Sequence, residues 1–146
     1  MRAARAPDGA SSSPARPMTD WLGARREAIV QAAKDHGWRL VVLFGSSAFA
    51  GEGRDIDFAV MPRSRPGLLE QGAWLAEFES LFASRPVDLL ILDEHTSPIT
   101  RFEVLWRGRC LYEEVAGLFD RERDRAFFLY ADSEHFRRAA RERSDG

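Results

Sequence analysis

The chain has 146 residues, enough for one compact domain and its core and too few for two of ordinary size. Its 21 basic and 23 acidic side chains leave a formal charge of −2, so no global positive field exists to hold a nucleic acid backbone, and no direct nucleic-acid partner is expected. A single cysteine, Cys110, excludes an internal disulfide framework and a thiolate metal cluster, and no apolar run approaches the roughly twenty residues of a membrane span; a cytoplasmic protein with no membrane contact is expected.

Residues 1–17, MRAARAPDGASSSPARP, hold Pro, Gly, Ser and Ala with no side chain large enough to offset the entropy of ordering, so they read as a disordered tail. The organised sequence, residues 18–146, then forms one domain, and Met18 is a candidate start. Thr19 is placed to cap a first helix with Asp20 in its first turn; Leu22, Ile29 and Ala33 recur at helical spacing until Gly37 permits a left-handed exit.

From Trp38 to Phe44 the run WRLVVLF is β-rich and almost wholly apolar, as expected of an interior strand covered on both faces. Gly45 to Gly53 is turn-rich, and Arg54 to Met61 reads as a second strand before Pro62 and Pro66. A helix follows, with Leu68, Gly72, Leu75, Phe78 and Phe82 expected along one face up to Ser84; Pro86 leads into a third strand, Val87 to Leu92.

Asp93 and Glu94 read as a solvated loop. Ser97 and Pro98 fit the cap and first position of another helix, carrying Ile99, Phe102, Val104 and Leu105 to Trp106, with Gly108 beyond its end. Cys110 to Tyr112 reads as a short edge strand. From about Val115 to Arg141 the pattern is one long amphipathic helix, with Phe119, Ala126, Phe127 and Tyr130 inward and charged side chains outward.

The chemistry concentrates in one constellation. Phe44-Gly45-Ser46 is followed, after eight intervening residues, by Asp55-Ile56-Asp57-Phe58. Strand side chains alternate faces, so Asp55 and Asp57 are expected to point the same way while Ile56 and Phe58 pack beneath. Two like charges so close destabilise a strand built for burial unless a cation neutralises them, and Mg²⁺ favours one or two protein carboxylates plus substrate phosphates. Asp88, in PVDLLIL, joins them if its strand lies beside the second, sharing a metal or taking the proton of an acceptor hydroxyl. Gly45 allows close backbone approach, and the Ser46 hydroxyl with neighbouring N–H groups suits a triphosphate oxygen. His36, His95 and His135 are scattered without ligand spacing, and Cys110 reads as a small core hydrophobe.

Gly45-Ser46, eight residues, Asp55-x-Asp57 and a later strand acid, Asp88, resemble the signature of the polymerase-β-like nucleotidyltransferase superfamily, specifically its minimal nucleotidyltransferase (MNT) branch. The resemblance runs from about Trp21 to the final helix, with LDEHTSPITRFEVLWRGRCLYEE similar to the segment where such proteins place a helix, a Gly turn and a short strand. It implies an α/β (α+β) nucleotidyltransferase fold: a small mixed sheet flanked by helices, with a long C-terminal helix.

By that resemblance Asp55 and Asp57 bind Mg²⁺, Asp88 assists attack and completes the metal site, and Gly45, Ser46, Ser47 and Arg54 contact the nucleotide. Family members usually carry an Arg where this chain has Phe49, so phosphate binding here falls to Arg54 or another arginine. MNT proteins of this kind are commonly antitoxins that silence a HEPN-type toxin by moving AMP from ATP to a tyrosine. The resemblance therefore implies a Mg²⁺-dependent protein adenylyltransferase with ATP as substrate and a HEPN toxin as partner, able to form an oligomer with it. Two alternatives accompany it. A small-molecule acceptor, as for aminoglycoside nucleotidyltransferases, generally requires an added helical domain, for which little chain remains. A non-enzymatic antitoxin that neutralises by contact draws its support from Phe49.

Overall fold

The structure, a computed structural model, describes residues 22–45, 55–82 and 85–145. The expected tail, the Thr19 cap, Ser46, Ser47, Phe49 and Arg54 lie outside the described residues. The elements, in chain order, are α1 (Ala24–His36), β1 (Leu40–Phe44), β2 (Ile56–Met61), α2 (Leu68–Leu81), β3 (Val87–Ile91), α3 (Pro98–Arg107), β4 (Arg109–Glu113) and α4 (Leu118–Asp145). This is the mixed α/β fold expected, closed by a long C-terminal helix.

The four strands form one sheet in the order β3-β2-β1-β4. β1 pairs antiparallel with both β2 and β4, whereas β2 and β3 run parallel with α2 as their crossover. β1 is central and reads as a continuous apolar run because both of its faces are covered. Val41 and Leu43 face a core shared with Ile29 and Ala33 of α1 and Trp74 and Phe78 of α2; Leu40 and Val42 face Val104 and Leu105 of α3 and Leu118 and Ala126 of α4. Helices thus cover both faces of the sheet.

Local chemistry sets the element ends. Gly37 stops α1 in the left-handed conformation, at φ 71°. The Ser97 hydroxyl accepts from the Thr100 backbone N–H at 3.2 Å, and Pro98 occupies the first turn of α3, as the sequence indicates. Gly108 follows α3 for a different reason: it has an ordinary negative φ, but a Cβ there would overlap the Val104 carbonyl oxygen and the Val42 side chain. That contact lets α3 sit directly on β1.

The first core is aromatic. Phe58 stacks on Phe78 with centroids 4.6 Å apart, Phe78 on Trp38 at 5.8 Å, and Trp74 meets Trp38 edge-on at 5.1 Å. Trp74 was not among the residues expected inward. Leu68 was, but it is 86% exposed in the first turn of α2; Gly72 is exposed too. The buried stripe of α2 is therefore Trp74, Phe78 and Phe82, with Leu75 packed beside it.

Ile99 and Phe127, also expected inward, are 43% and 44% exposed. Their inward places are held by Arg101 and Glu122, an ion pair with Nη1 and Oε1 3.8 Å apart between α3 and α4. Asp93 is no solvated loop residue: its carboxylate accepts from the His95 N–H at 2.8 Å and pairs with Arg65. Among the described residues no helix is long and apolar enough to cross a membrane.

Candidate active site

The parallel pairing of β2 and β3 places Asp57 directly opposite Asp88, and Phe44, the last residue of β1, opposite Asp57 on the other side. Two acids separated by 31 positions thus meet at one end of the sheet because α2 returns the chain in parallel. Pairing alternates in period two, so Asp57 and Asp88 share the α3 side of the sheet with Ala59 and Leu90, while Ile56, Phe58 and Val87 pack into the aromatic core. Asp55 precedes the strand, which begins at Ile56 and not at Arg54, and it is exposed.

The Asp57 carboxyl is held above the ordinary value of 3.8. Partial burial is the largest cause; the charge of Asp88, a hydrogen bond between the two carboxyl groups and the charge of Asp55 all add in the same direction. Acidic neighbours therefore compound the effect of burial.

Gly45 completes the arrangement. Its φ of 73° lies in the left-handed region, where a side chain is strained. A Cβ at this position would overlap Asp57 Oδ2 and come within 3.1 Å of its Cγ. The glycine expected to admit a phosphate thus also makes room for the carboxylate, which rests against bare backbone just where β1 ends.

The donor set suits a hard divalent cation. Two carboxylates joined by a hydrogen bond offer oxygens only and repel each other when ionised, and Mg²⁺ prefers one or two such carboxylates together with phosphate oxygens. Among the described residues no three His, Cys, Asp or Glu side chains are grouped so that they could hold a metal ion; the tight group is the Asp57–Asp88 pair, on which Asp55 acts through its charge. Asp55, Asp57, Asp88 and Gly45 are brought to one end of the sheet, whereas Ser46, Ser47 and Arg54 lie outside the described residues.

The remaining chemistry-bearing groups are engaged elsewhere. His36 Nε2 meets Glu77 Oε1 at 2.7 Å and the ring stacks on Trp38 at 4.9 Å. Burial, and then the charge of Glu113, push the Cys110 thiol up to about 11, which leaves it a neutral, unreactive group at physiological pH. At the far end of the sheet, where β1 begins and β2 ends, a cavity of about 210 Å³ is lined by Arg39, Arg63, Arg65 and Arg101. Three of these guanidiniums are matched by Glu114 and Asp93, and Arg101 faces Glu122.

Comparison with known proteins agrees with this geometry. The family model described as polymerase beta, nucleotidyltransferase matches residues 27–116, a span that contains Gly45, Asp55, Asp57 and Asp88. No curated protein matches the chain. Among solved structures, a chain from a toxin–antitoxin pair crystallised with AMP-PNP superposes with a TM-score of 0.68 at 20% identity, covering 83% of this chain and 98% of its own. A chain from the complex of tri-AMPylated Shewanella oneidensis HEPN toxin with MNT antitoxin gives 0.65 at 19% identity, over 84% and 98%. One from the MntA–HepT toxin–antitoxin complex gives 0.64 at 18%, again over 84% and 98%. At such identities the likeness speaks for the fold. The family model, in contrast, spans more than half of the sequence and includes the paired acids, so the chain belongs to the polymerase β nucleotidyltransferase family.

Proposed function

We propose that this protein is a cytoplasmic antitoxin of the MNT type, which transfers AMP from ATP to a tyrosine hydroxyl of a HEPN-type toxin and thereby silences it. The observation that carries this reading is the register of Asp57 against Asp88 beside Gly45, two crowded carboxylates with a raised Asp57 pKa at one end of the sheet. The solved structures of like fold include a toxin–antitoxin pair with AMP-PNP and an AMPylated HEPN toxin bound to an MNT antitoxin, which supports the substrate and the partner.

In this reading Asp55 and Asp57 hold Mg²⁺ with the triphosphate, and Asp88 completes the set. The bound ion supplies charge stabilisation to the attacking and leaving oxygens of an in-line displacement. Gly45, Ser46, Ser47 and Arg54 bind and orient the phosphates. A tyrosine hydroxyl, with a pKa of about 10, arrives protonated, so Asp88 at the edge of the sheet accepts its proton. The phenolate oxygen bonds to the α-phosphorus, the bond from that phosphorus to the bridging oxygen of the β-phosphate breaks, and pyrophosphate leaves.

The test is intact-mass analysis of the product of the neighbouring gene after incubation with this protein, ATP and Mg²⁺. An adenylyl increment on a tyrosine, absent with Asp57→Asn, supports the reading. No increment with any nucleotide, together with neutralisation of the toxin by Asp57→Ala, shifts the protein to an antitoxin that acts by contact alone.

A further inference from the structure

β3 is the edge of the sheet on the side of the paired acids: it carries Asp88 and, among the described residues, pairs only with β2. Its backbone polarity follows from two bonds. The Pro86 carbonyl accepts from the Ile56 N–H at 3.0 Å and the Leu92 N–H donates to the Val60 carbonyl at 2.8 Å, so even-numbered residues turn their backbone groups towards β2. Alternation then directs the N–H and C=O groups of Val87, Leu89 and Ile91 to the open side. The Ile91 carbonyl confirms this, since it accepts a hydrogen bond from the Thr96 hydroxyl at 3.2 Å, outside the sheet.

Natural sheets protect such an edge with lysine, proline, a bulge or a covering element. Val87–Ile91 has neither lysine nor proline, its one charge being Asp88, and the register with β2 runs through all five positions without a bulge. Leu89, Leu90 and Ile91 are all partly buried, yet they line an open groove of about 400 Å³ together with Arg65, His95 and Thr96. Asp88 does not line the groove, but it stands one residue before Leu89 on the same strand, so the edge itself runs from the groove to the acid.

We propose that this edge is the docking site for the acceptor protein, which lays an extended segment alongside β3 as an added strand and so delivers its tyrosine to Asp88. The inference rests on the proposed adenylyl transfer and names how the partner reaches that site. Continuity decides the occupant. A paired strand runs about 4.8 Å from β3, and a segment held by the backbone of Leu89 and Val87 is carried directly past the carboxylates. Main-chain pairing gives affinity, and the groove beside it, apolar at Leu89, Leu90 and Ile91 and polar at Arg65, Gln71, Thr96 and Thr100, selects alternate side chains of the segment.

Two measurements test this with the full chain and the product of the neighbouring gene. Amide hydrogen exchange on the unaltered protein is expected to show Leu89 and Ile91 exchanging rapidly in the free chain and at least tenfold more slowly in the complex. Leu89→Pro removes an outward N–H without touching the bonds to β2, a position where an edge strand tolerates proline; it is expected to raise KM for the acceptor at least tenfold while kcat stays within about twofold. Unchanged exchange in the complex, or an unchanged acceptor KM in a folded Leu89→Pro, overturns the docking site and leaves the transfer reaction standing. Protection already present in the free chain overturns it as well, because a segment of the protein itself then occupies the edge. No transfer by the unaltered protein overturns the proposed function and this inference together.

Discussion

The two ends of the sheet use the same chemical groups in opposite ways. Where β1 begins, Glu114 receives Arg39 and Arg63, Asp93 receives Arg65, and Glu122 faces Arg101 between α3 and α4. Where β1 ends, Asp57 faces Asp88 in register, with Asp55 adding to the same negative field. Charges matched to partners hold loops and helices in place; charges matched to each other hold nothing and weaken the fold. In the proposed reading, the acids in register with each other make the reaction site and the acids matched to arginines make scaffolding.

The largest expected effect separates the two ends by activity. Asp57→Asn or Asp88→Asn is expected to lower adenylyl transfer at least about a thousandfold, roughly 4 kcal/mol of transition-state stabilisation, with the circular dichroism spectrum unchanged. Glu122→Ala is expected to do the reverse: it strands the buried Arg101 guanidinium and costs about 3 kcal/mol in chemical denaturation, with little effect on turnover of the folded fraction.

Gly45→Ala sits between these extremes, since it places a Cβ on the Asp57 carboxylate and forces a side chain into the left-handed region. A loss of about 1–2 kcal/mol is expected in equilibrium unfolding, together with loss of transfer.

The smallest effect is a gain. The folded chain holds the Asp57 proton more tightly than the unfolded chain does, so this group's contribution to stability is fully present below the ordinary value of 3.8 and is lost as pH rises through the raised value. Asp57→Asn is therefore expected to stabilise the metal-free protein at neutral pH by up to about 1 kcal/mol, a rise in Tm of about 2–4 °C, and the gain is expected to vanish at acid pH.

Much of this was legible in the residues. Ser97-Pro98 and Gly37 fixed helix ends through chemistry that acts within a few positions, and the apolar run of β1 announced a strand covered on both sides. Gly45-Ser46 ahead of Asp55 and Asp57 pointed to the candidate site, of which Ser46 lies outside the described residues. Periodicity did not show which turns of α2 are covered, so Leu68 was expected inward although it is exposed. On α4 Ala126 is buried as expected, but three apolar residues, Phe127, Phe128 and Leu129, follow it, and only packing decides that Phe127 points outward. The Arg101–Glu122 pair and the register of Asp57 on Asp88 are long-range facts that depend on how α2 and α4 return the chain. The open edge of β3 is of the same kind.

The central claim is that Asp57 and Asp88 form an incomplete site, completed by a divalent cation carrying a nucleotide. It is tested most directly by following the Asp57 carboxyl by ¹³C NMR as a function of pH, with and without Mg²⁺ and AMP-PNP. The account predicts a titration above the ordinary value of 3.8 in the free protein, moving below it when both are added. A titration that the cation and nucleotide leave unmoved would contradict it.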